Sequence, residues 1–299
     1  MRENEPPECV SFHGGHSGEF CNHAEDTLAE IVEAYFRNHF NRVGISEHMP
    51  PPDDRFLYPD EQEAGLDARK MYDRFARYVS VCRQLQAAWA GKMNIYVGFE
   101  TEAYSGALSF VQKLIREFRP DYIVGSVHHV NDVPIDASPA LYRNAADMSG
   151  GTDALYCDYF DRQYELIRVL RPPVVGHFDL IRIFDPDYPA RLEKPEIQQR
   201  VRRNLELIRA SGLILDFNMR ALVKGATEPY VSRPILEQAL ELGIPVLPGD
   251  DSHSVGTVGL NVGKGIRILA EMGFDTCWQT PAFAPAQQGG HVCLCPPVP

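Results

Sequence analysis

Short apolar segments rich in β-branched residues alternate with longer amphipathic segments along the chain. The pattern predicts strands at residues 9–12, 42–46, 94–100, 121–127, 172–178, 213–218 and 244–249. It predicts helices over residues 26–40, 66–91, 105–118, 153–170, 194–212, 232–243 and 256–273, with Asp26 as the N-cap of the first. Because strands and helices alternate, we expect an α/β protein with a parallel sheet and right-handed crossovers. The sheet is either open and doubly wound or closed into a barrel.

The chain length favours one large domain. At 299 residues, the sequence fits a single α/β barrel, which we place at residues 1–279. Residues 280–299 are rich in proline, glycine and glutamine, and we expect this tail to be poorly ordered. No G-x-G-x-x-G follows the first strand and no G-x-x-x-x-G-K-[ST] occurs, so the common nucleotide-binding fingerprints are missing.

Composition narrows the choice of partners. The net charge of −12 argues against binding to nucleic acid or to a membrane surface, both of which require basic patches. An anionic substrate would need a local positive centre, which bound metal ions could supply. The seven cysteines are scattered and odd in number, and the N-terminus lacks an apolar signal segment, so we expect a reducing, cytoplasmic setting.

Histidines and carboxylates collect at the carboxyl ends of the predicted strands. The histidines at these ends are His13, His16, His48, His128, His129, His177 and His253, and His23 follows in the first loop. The carboxylates are Glu47, Glu100, Glu102, Asp179, Asp250 and Asp251. The carboxyl ends of parallel strands open on one face of a sheet or barrel, so these side chains are expected to converge. Imidazole and carboxylate groups together predict a site for divalent metal ions.

Not every polar side chain at these strand ends need touch a metal. Side chains alternate between the two faces of a strand, so only one of His128 and His129 is expected to face the site, and we favour His128. Glu102, Asp179 and Asp250 could contact metal or substrate, or only support neighbouring groups, and the same alternatives hold for Glu47.

The order of motifs resembles a known family. The runs H-G-G-H-S, S-E-H, G-F-E, S-V-H, G-H and D-S-H follow one another between about residues 10 and 275. This order resembles the polymerase and histidinol phosphatase family of metal-dependent phosphoesterases. The resemblance implies a distorted (βα)7 TIM-like barrel that binds two or three divalent metal ions, which would be manganese, zinc or iron.

The resemblance also implies how the metal ligands divide. The first group is His13, His16, Glu100 and Asp251; the second is the bridging Glu100 with His128 and His177; the third is His23, His48 and His253. One motif departs from the family, because the usual His-x-His of the first strand is here His13-Gly14-Gly15-His16. A bulge at the two glycines could still bring His13 into place.

Three segments resemble the histidinol-phosphatase branch of the family. These are HSGEFCNHA, SVHHVNDVPID and DFNMRALVKGATEPYVS. They imply hydrolysis of L-histidinol phosphate to L-histidinol and phosphate by metal-activated water, a step of histidine biosynthesis.

Two further roles complete the predicted site. Asp251, His253 or His177 could position a water that protonates the leaving alcohol. The candidates for binding the phosphate are the cations Arg182, Arg220 and Lys224.

Other functions remain open at the level of the sequence. The chain could hydrolyse another small phosphorylated metabolite. It could be a metal-dependent amidohydrolase, although no lysine stands at a strand end where it could bridge metals. It could also be a non-catalytic module that only binds metal.

Overall fold

The computed structural model describes residues 7–283, so most of the predicted tail lies outside the described residues. The strands are β1 Val10–Ser11, β2 Arg42–Ile45, β3 Asn94–Val97, β4 Val124–Gly125, β5 His129–Val130, β6 Val133–Pro134, β7 Val174–Val175, β8 Ile214–Asn218 and β9 Val246–Gly249. The helices are α1 Leu28–Arg37, α2 Pro59–Glu63, α3 Ala68–Ala88, α4 Ala107–Phe118, α5 Pro139–Ser149, α6 Thr152–Leu170, α7 Tyr188–Leu192, α8 Pro195–Ser211, α9 Arg220–Val223, α10 Arg233–Glu241 and α11 Val262–Met272.

All seven predicted strands are present, and each is shorter than predicted. The strand that begins at Asn94 ends at Val97, three residues before Glu100, and β4 ends at Gly125, three residues before His128. The polar side chains therefore stand on extended or turning backbone just beyond each strand.

The structure corrects the predicted start of the first helix. Thr27, and not Asp26, is its N-cap: the Thr27 hydroxyl accepts from the backbone N–H of Glu30, and the Glu30 carboxylate accepts from the backbone N–H of Thr27. Asp26 instead takes a left-handed conformation (φ 63°), and its carboxylate accepts a hydrogen bond from the backbone N–H of Val255. The threonine three residues before a glutamate is the capping-box signal.

The sequence analysis also missed helix α5 and the hairpin formed by β5 and β6. The hairpin turns at Asn131 and Asp132, which both have positive φ, at 53° and 62°. A two-residue turn with positive φ at both positions suits asparagine and aspartate. The adjacent Asn131 and Asp132 were therefore the feature from which the sequence could have predicted this hairpin.

The seven parallel strands form two sheets. One has the order β1-β2-β3 and the other the order β4-β7-β8-β9. Glu100 pairs as an isolated bridge with His48 on one side and with Val124 on the other, so this residue stands at the seam between the two sheets. The fold is therefore α/β with parallel sheets, as predicted.

The predicted closed barrel is not confirmed, because no continuous ladder joins β1 to β9 among residues 7–283. Their ends are nevertheless linked. The Ser11 hydroxyl donates to the Asp250 carboxylate (2.7 Å), and the backbone N–H of Asp251 donates to the carbonyl of His13 (2.8 Å). Gly15 and Asp251 have φ values of 75° and 47°, so the backbone leaves the extended conformation where a ladder would have to continue.

The core packs between the sheets and the surrounding helices. Tyr122 is fully buried there and lies over Gly98, where a Cβ atom would come within 2.5 Å of the tyrosine ring. Glycine is needed at this position because the aromatic ring occupies the space of a side chain. Between residues 7 and 283, no helix combines the length and the apolar character that crossing a membrane requires.

The capping box of α1 gives a test of the fold. We expect Thr27→Ala to lower the free energy of unfolding by about 1 kcal/mol, because it removes the acceptor for an otherwise unpaired helix N–H. Thr27→Ser, which keeps the hydroxyl, should retain most of that stability. The unfolding midpoint in urea measures both variants, and equal midpoints for them would contradict the role of the hydroxyl.

Candidate metal centre

One oxygen of Glu100 lies at the centre of the predicted site. Its carboxylate is 1% exposed, and Oε1 lies 3.0 Å from Nε2 of His177, 3.1 Å from Nε2 of His13 and 3.2 Å from Nε2 of His128. These imidazoles come from the ends of β1, β4 and β7, far apart in the chain. The structure thus brings the second predicted ligand group together and adds His13 to it.

The arrangement fits a divalent metal ion. Nε2 of His128 and Nε2 of His177 are 3.2 Å apart. Two nitrogens bound to one tetrahedral zinc at its usual bond length would be about 3.3 Å apart. Nε2 of His13 is buried without a hydrogen bond, as are both ring nitrogens of His16 and of His48. Carboxylate oxygens lie 3.1–3.4 Å from three of these nitrogens without the alignment of a hydrogen bond, an arrangement that a bound cation would complete.

His16 connects Glu100 to the remaining predicted ligands. Its Nε2 lies 3.4 Å from Oδ1 of Asp251 and 3.9 Å from Oε2 of Glu100. The donor atoms of His13, His16 and Asp251 all lie within 4.8 Å of one another, which makes them a second group able to hold a metal. The structure therefore places all four residues of the first implied ligand set around one corner of the pocket.

The third predicted group assembles in a different form. The ring of His16 stacks on those of His48 and His253, with centroids 4.6 and 4.3 Å apart. The group whose donor atoms lie within 4.8 Å of one another contains these three histidines and Cys21. The His23 side chain is 55% exposed, and its ring centroid is 5.0 Å from that of His253. His23 thus stands at the edge of this group.

Burial and neighbouring charges set the protonation of the third group. Burial, with His16 nearby, lowers the pKa of His48 to about 3. The same two causes lower the pKa of His253 well below its ordinary value. Burial alone would also lower the pKa of His16, but its contacts with Asp251 and Glu47 raise it to about 9. His48 and His253 are therefore neutral at physiological pH, which is the form of imidazole that binds metals.

Around Glu100, neighbouring charges outweigh the effect of burial on the pKa values. Burial alone would raise the pKa of Glu100, but the adjacent His13 and His128 hold it well below its ordinary value. Burial would lower the pKa of His128, but Glu102 and Glu100 raise it well above its ordinary value. In the absence of a cation, protons on these imidazoles offset the buried carboxylates, and a metal ion would displace those protons on binding.

Further side chains orient the central histidines. Oδ2 of Asp216 lies 2.6 Å from Nδ1 of His13, and Asn218 donates both to this oxygen (3.0 Å) and to Oδ2 of Asp251 (3.2 Å). A carboxylate on the second nitrogen of a metal-binding histidine fixes its ring and tautomer. Sequence reasoning missed Asp216, although an acidic residue inside the apolar run LILDFN was a usable signal.

Glu102 orients the histidines that follow β4 in the same way. Its Oε2 lies 3.1 Å from Nδ1 of His128 and 3.0 Å from Nδ1 of His129. Nε2 of His128 faces Glu100, whereas the ring of His129 packs near Tyr58. Both rings therefore meet at one oxygen of Glu102, and only His128 also reaches Glu100.

Three other strand-end carboxylates mainly bind protein groups. Glu47 accepts from the backbone N–H and hydroxyl of Ser17 (2.9 and 2.8 Å). Asp250 accepts from the hydroxyls of Ser11 and Tyr35 and from a backbone N–H. Asp179 accepts from the backbone N–H of Ser232 at 2.9 Å. These bonds tie the loops around the pocket to one another.

The three predicted phosphate-binding cations differ in their surroundings. Arg182 is buried and donates to Asp179 (3.2 Å) and to the carbonyls of residues 228 and 229 (3.1 and 2.6 Å). Nε of Arg220 is buried without a hydrogen bond, and the charge of Arg220 contributes to the lowered pKa of His253. The charge of Lys224 acts in the same direction on the pKa of His23. Arg182 therefore serves the adjoining loops, whereas Nε of Arg220 is left without a protein partner.

Known proteins share both the sequence pattern and the fold. The sequence profile of the PHP domain matches residues 14–220. A protein of Schizosaccharomyces pombe named probable histidinol-phosphatase is 35% identical over 272 residues, covering 90% of this chain and 86% of the relative. The chain belongs to the PHP family. The histidinol-phosphatase of Saccharomyces cerevisiae is 28% identical over 294 residues, covering 87% of this chain and 88% of the relative.

Two crystal structures of PHP-family relatives resemble this fold. The hisK protein of Listeria monocytogenes superposes with a TM-score of 0.75 at 24% identity, covering 86% of this chain and 99% of the other. The histidinol phosphate phosphatase of Lactococcus lactis, solved with zinc, L-histidinol and phosphate, superposes with a TM-score of 0.69 at 19% identity, covering 89% and 94%.

The shared carboxylate gives a test of the centre. We expect Glu100→Gln to reduce the metal content of the purified protein, because a neutral amide offsets no cationic charge and binds metal weakly. Elemental analysis after dialysis against a fixed concentration of zinc measures this content. Glu165→Gln, on the exposed side of α6, is the matched control and should keep the full complement. An unchanged metal content in Glu100→Gln would remove Glu100 from the centre.

Proposed function

We propose that this PHP-family protein is a metal-dependent phosphomonoesterase that hydrolyses L-histidinol phosphate to L-histidinol and inorganic phosphate, a step of histidine biosynthesis. The observation that carries the proposal is the convergence of three imidazole nitrogens on one oxygen of Glu100. The names of the relatives covering most of the chain support the choice of substrate.

The proposed centre holds two or three divalent ions, with zinc, manganese and iron as the candidates. Zinc is supported by the ligand spacing and by its presence in the Lactococcus lactis relative. We assign the ligands to three groups around Glu100. They are His13, His16, Glu100 and Asp251; Glu100, His128 and His177; and His48 and His253 with His23 at the edge.

When bound, the ions would offset charge on the phosphoryl oxygens and bring the pKa of a bound water close to neutrality. The protein groups do the remaining work. Glu100 and its imidazoles would hold the ions that bind the phosphoryl group, and Asp216 and Glu102 keep two of those rings from turning. Prior positioning of this kind removes much of the entropic cost of the reaction.

Binding of the phosphate and protonation of the leaving alcohol fall to groups at the rim. Arg220 and Lys224 are proposed to bind the phosphate, because their charges act on the third group. Arg182 is the third predicted cation. It is already bonded to Asp179, and its proposed role is to hold the neighbouring loop. Asp251, with His253 or His177, is proposed to orient the water that protonates the leaving oxygen.

Three further features belong to this proposal. The two sheets are proposed to be parts of one distorted (βα)7 barrel, supported by the bridges at Glu100 and by the bonds that link β1 to the end of β9. Residues 1–279 would then be a single domain. A cytoplasmic location is supported by the free cysteines, since the five within the described residues are all unpaired.

Chelation and direct assay test the function. We expect the purified protein to release phosphate from L-histidinol phosphate, to lose most of this activity after dialysis against a chelator, and to regain it with zinc, manganese or iron. The mechanism predicts this dependence because the attacking water would be activated by the metals. Full activity after complete metal removal would contradict the mechanism.

A substrate panel separates the remaining alternatives. It contains L-histidinol phosphate, other small phosphomonoesters, a phosphodiester and an amide. Preference for another phosphomonoester would change the substrate but keep the chemistry. Hydrolysis of the amide alone would favour an amidohydrolase, and metal binding without any turnover would favour the non-catalytic module.

The proposed role of Arg220 gives a separate prediction. We expect Arg220→Ala to raise the KM for L-histidinol phosphate by about tenfold to a hundredfold, the usual worth of a charge-assisted hydrogen bond. Arg220→Lys should lose less, since it keeps the charge. Arg168→Ala, on the exposed face of α6, is the control. A normal KM in Arg220→Ala would move phosphate binding to another cation.

A further inference from the structure

The hydroxyl of Tyr230 makes no hydrogen bond within the described part of the chain, although the residue is only 4% exposed. A tyrosine hydroxyl in such a buried residue usually has a partner. Tyr122 and Tyr142 also have hydroxyls without a partner, but those two oxygens are sealed from solvent. The oxygen of Tyr230 is not sealed in this way, so the small exposed part of this residue includes its hydroxyl. The hydroxyl is therefore open to a bound molecule.

The Tyr230 side chain stands at the wall of the candidate metal centre. Its ring centroid lies 6.2 Å from that of His177, one of the three imidazoles at Glu100. The backbone N–H of Tyr230 donates to the carbonyl of Asn218 (3.1 Å), and the Asn218 side chain donates to Oδ2 of Asp251 (3.2 Å). Tyr230 is thus held against residues of two of the proposed ligand groups.

The ring of Tyr230 packs on a buried cation. The guanidinium carbon of Arg182 lies 4.5 Å from the ring centroid of Tyr230 and 4.9 Å from that of Tyr188. Arg182 also donates to the carbonyl of Pro229 (2.6 Å), the residue before Tyr230. A cation over the face of an aromatic ring is attracted to the electrons of that ring. Because it draws electron density from the phenol, it also makes the O–H group a stronger hydrogen-bond donor.

Tyr230 keeps its proton at physiological pH. Burial raises the pKa of its hydroxyl, and the charge of Arg182 lowers that pKa by less. The hydroxyl is therefore a neutral donor beside the centre, and its partner must accept a hydrogen bond. In a phosphate monoester that carries an ammonium group, the phosphoryl oxygens are charged acceptors, whereas the ammonium group can only donate.

We propose that the Tyr230 hydroxyl donates a hydrogen bond to a phosphoryl oxygen of the substrate, and that Arg182 is a positioning residue that acts through the Tyr230 ring. This inference deepens the proposed function and rests on it only in requiring a phosphoryl group at the metal centre. It gives Arg182 a part in phosphate binding without a direct contact, since its guanidinium is already bonded to Asp179 and to backbone carbonyls.

Removal of the hydroxyl alone tests the proposal. Tyr230→Phe keeps the ring, its backbone pairing and its contact with Arg182. We expect the zinc-loaded variant to bind inorganic phosphate about tenfold to a hundredfold more weakly than the wild-type protein, the usual effect of losing a hydrogen bond to a charged group. Isothermal titration calorimetry measures this affinity, and elemental analysis should show the same zinc content in both proteins.

Tyr188→Phe is the matched control. Tyr188 also lies over Arg182, but its hydroxyl donates to the Glu228 carboxylate, so the loss of this hydroxyl should leave the phosphate affinity unchanged. Equal phosphate affinities in Tyr230→Phe and the wild-type protein would overturn the proposal, as would a zinc-loaded wild-type protein that binds no phosphate. An equal loss in Tyr188→Phe would also overturn it, because the loss would then come from the packing around Arg182.

A double-mutant cycle tests the part assigned to Arg182. If this residue acts through the hydroxyl, Arg182→Met should weaken phosphate binding in the wild-type background but much less in Tyr230→Phe. A residue that only supports the fold would have the same effect in both backgrounds, and this result would remove Arg182 from the proposal. Arg182→Lys keeps the charge but not the planar group over the ring, and it gives the same comparison with less risk to folding.

Activity separates this inference from the proposed function. Hydrolysis of L-histidinol phosphate with unchanged kcat/KM and unchanged phosphate affinity in Tyr230→Phe would refute this inference alone. Loss of phosphate affinity in Tyr230→Phe, in a protein that does not hydrolyse L-histidinol phosphate, would refute the proposed function and leave the hydrogen bond in place.

Discussion

Burial of the Glu100 carboxylate is the constraint on which the site depends. An ionised carboxylate in the interior loses several kcal/mol of hydration unless positive charge and hydrogen bonds replace the water. Glu100 is 1% exposed, and it obtains that replacement from imidazoles delivered by three other strands. In the chain, more than a hundred residues separate His13 from His177, and His128 lies between them. The site therefore forms only when the whole sheet arrangement forms.

The parallel arrangement of the strands brings these side chains together. Glu100 stands at the seam between the two parallel sheets and bridges to residues on both sides. Because the strands run parallel, the residue that follows each strand reaches the same end of the fold. The strands are short, and the chain just beyond them is free to turn side chains inward. The left-handed Gly15 is an example, since it separates the two first-strand histidines and lets both reach the pocket.

The sequence predicted the strands and long helices themselves better than the residues at which they begin and end. It also predicted them better than the closure of the sheets into a barrel. Strands and long helices followed from hydrophobic period, which is a local signal. The N-cap was assigned one residue too early because Asp26 and Thr27 are both good caps, and only the reciprocal bond with Glu30 decides between them. For the site, strand-end histidines could be placed from the alternation of elements. The role of Asp216 was missed, because the acidic residue inside an apolar run signals a buried partner but does not say that the partner is the ring of His13.

The protonation pattern shows how the charge of the buried carboxylates is balanced. The raised pKa values of His13, His16 and His128 mean that, without metal, protons carry the positive charge that the buried carboxylates require. A metal ion that binds these nitrogens replaces protons, so the charge of the pocket rises by less than the charge of the ion. Glu100 and His16 each border two of the groups that could hold a metal, so an ion bound at one group would also restrain side chains of the next.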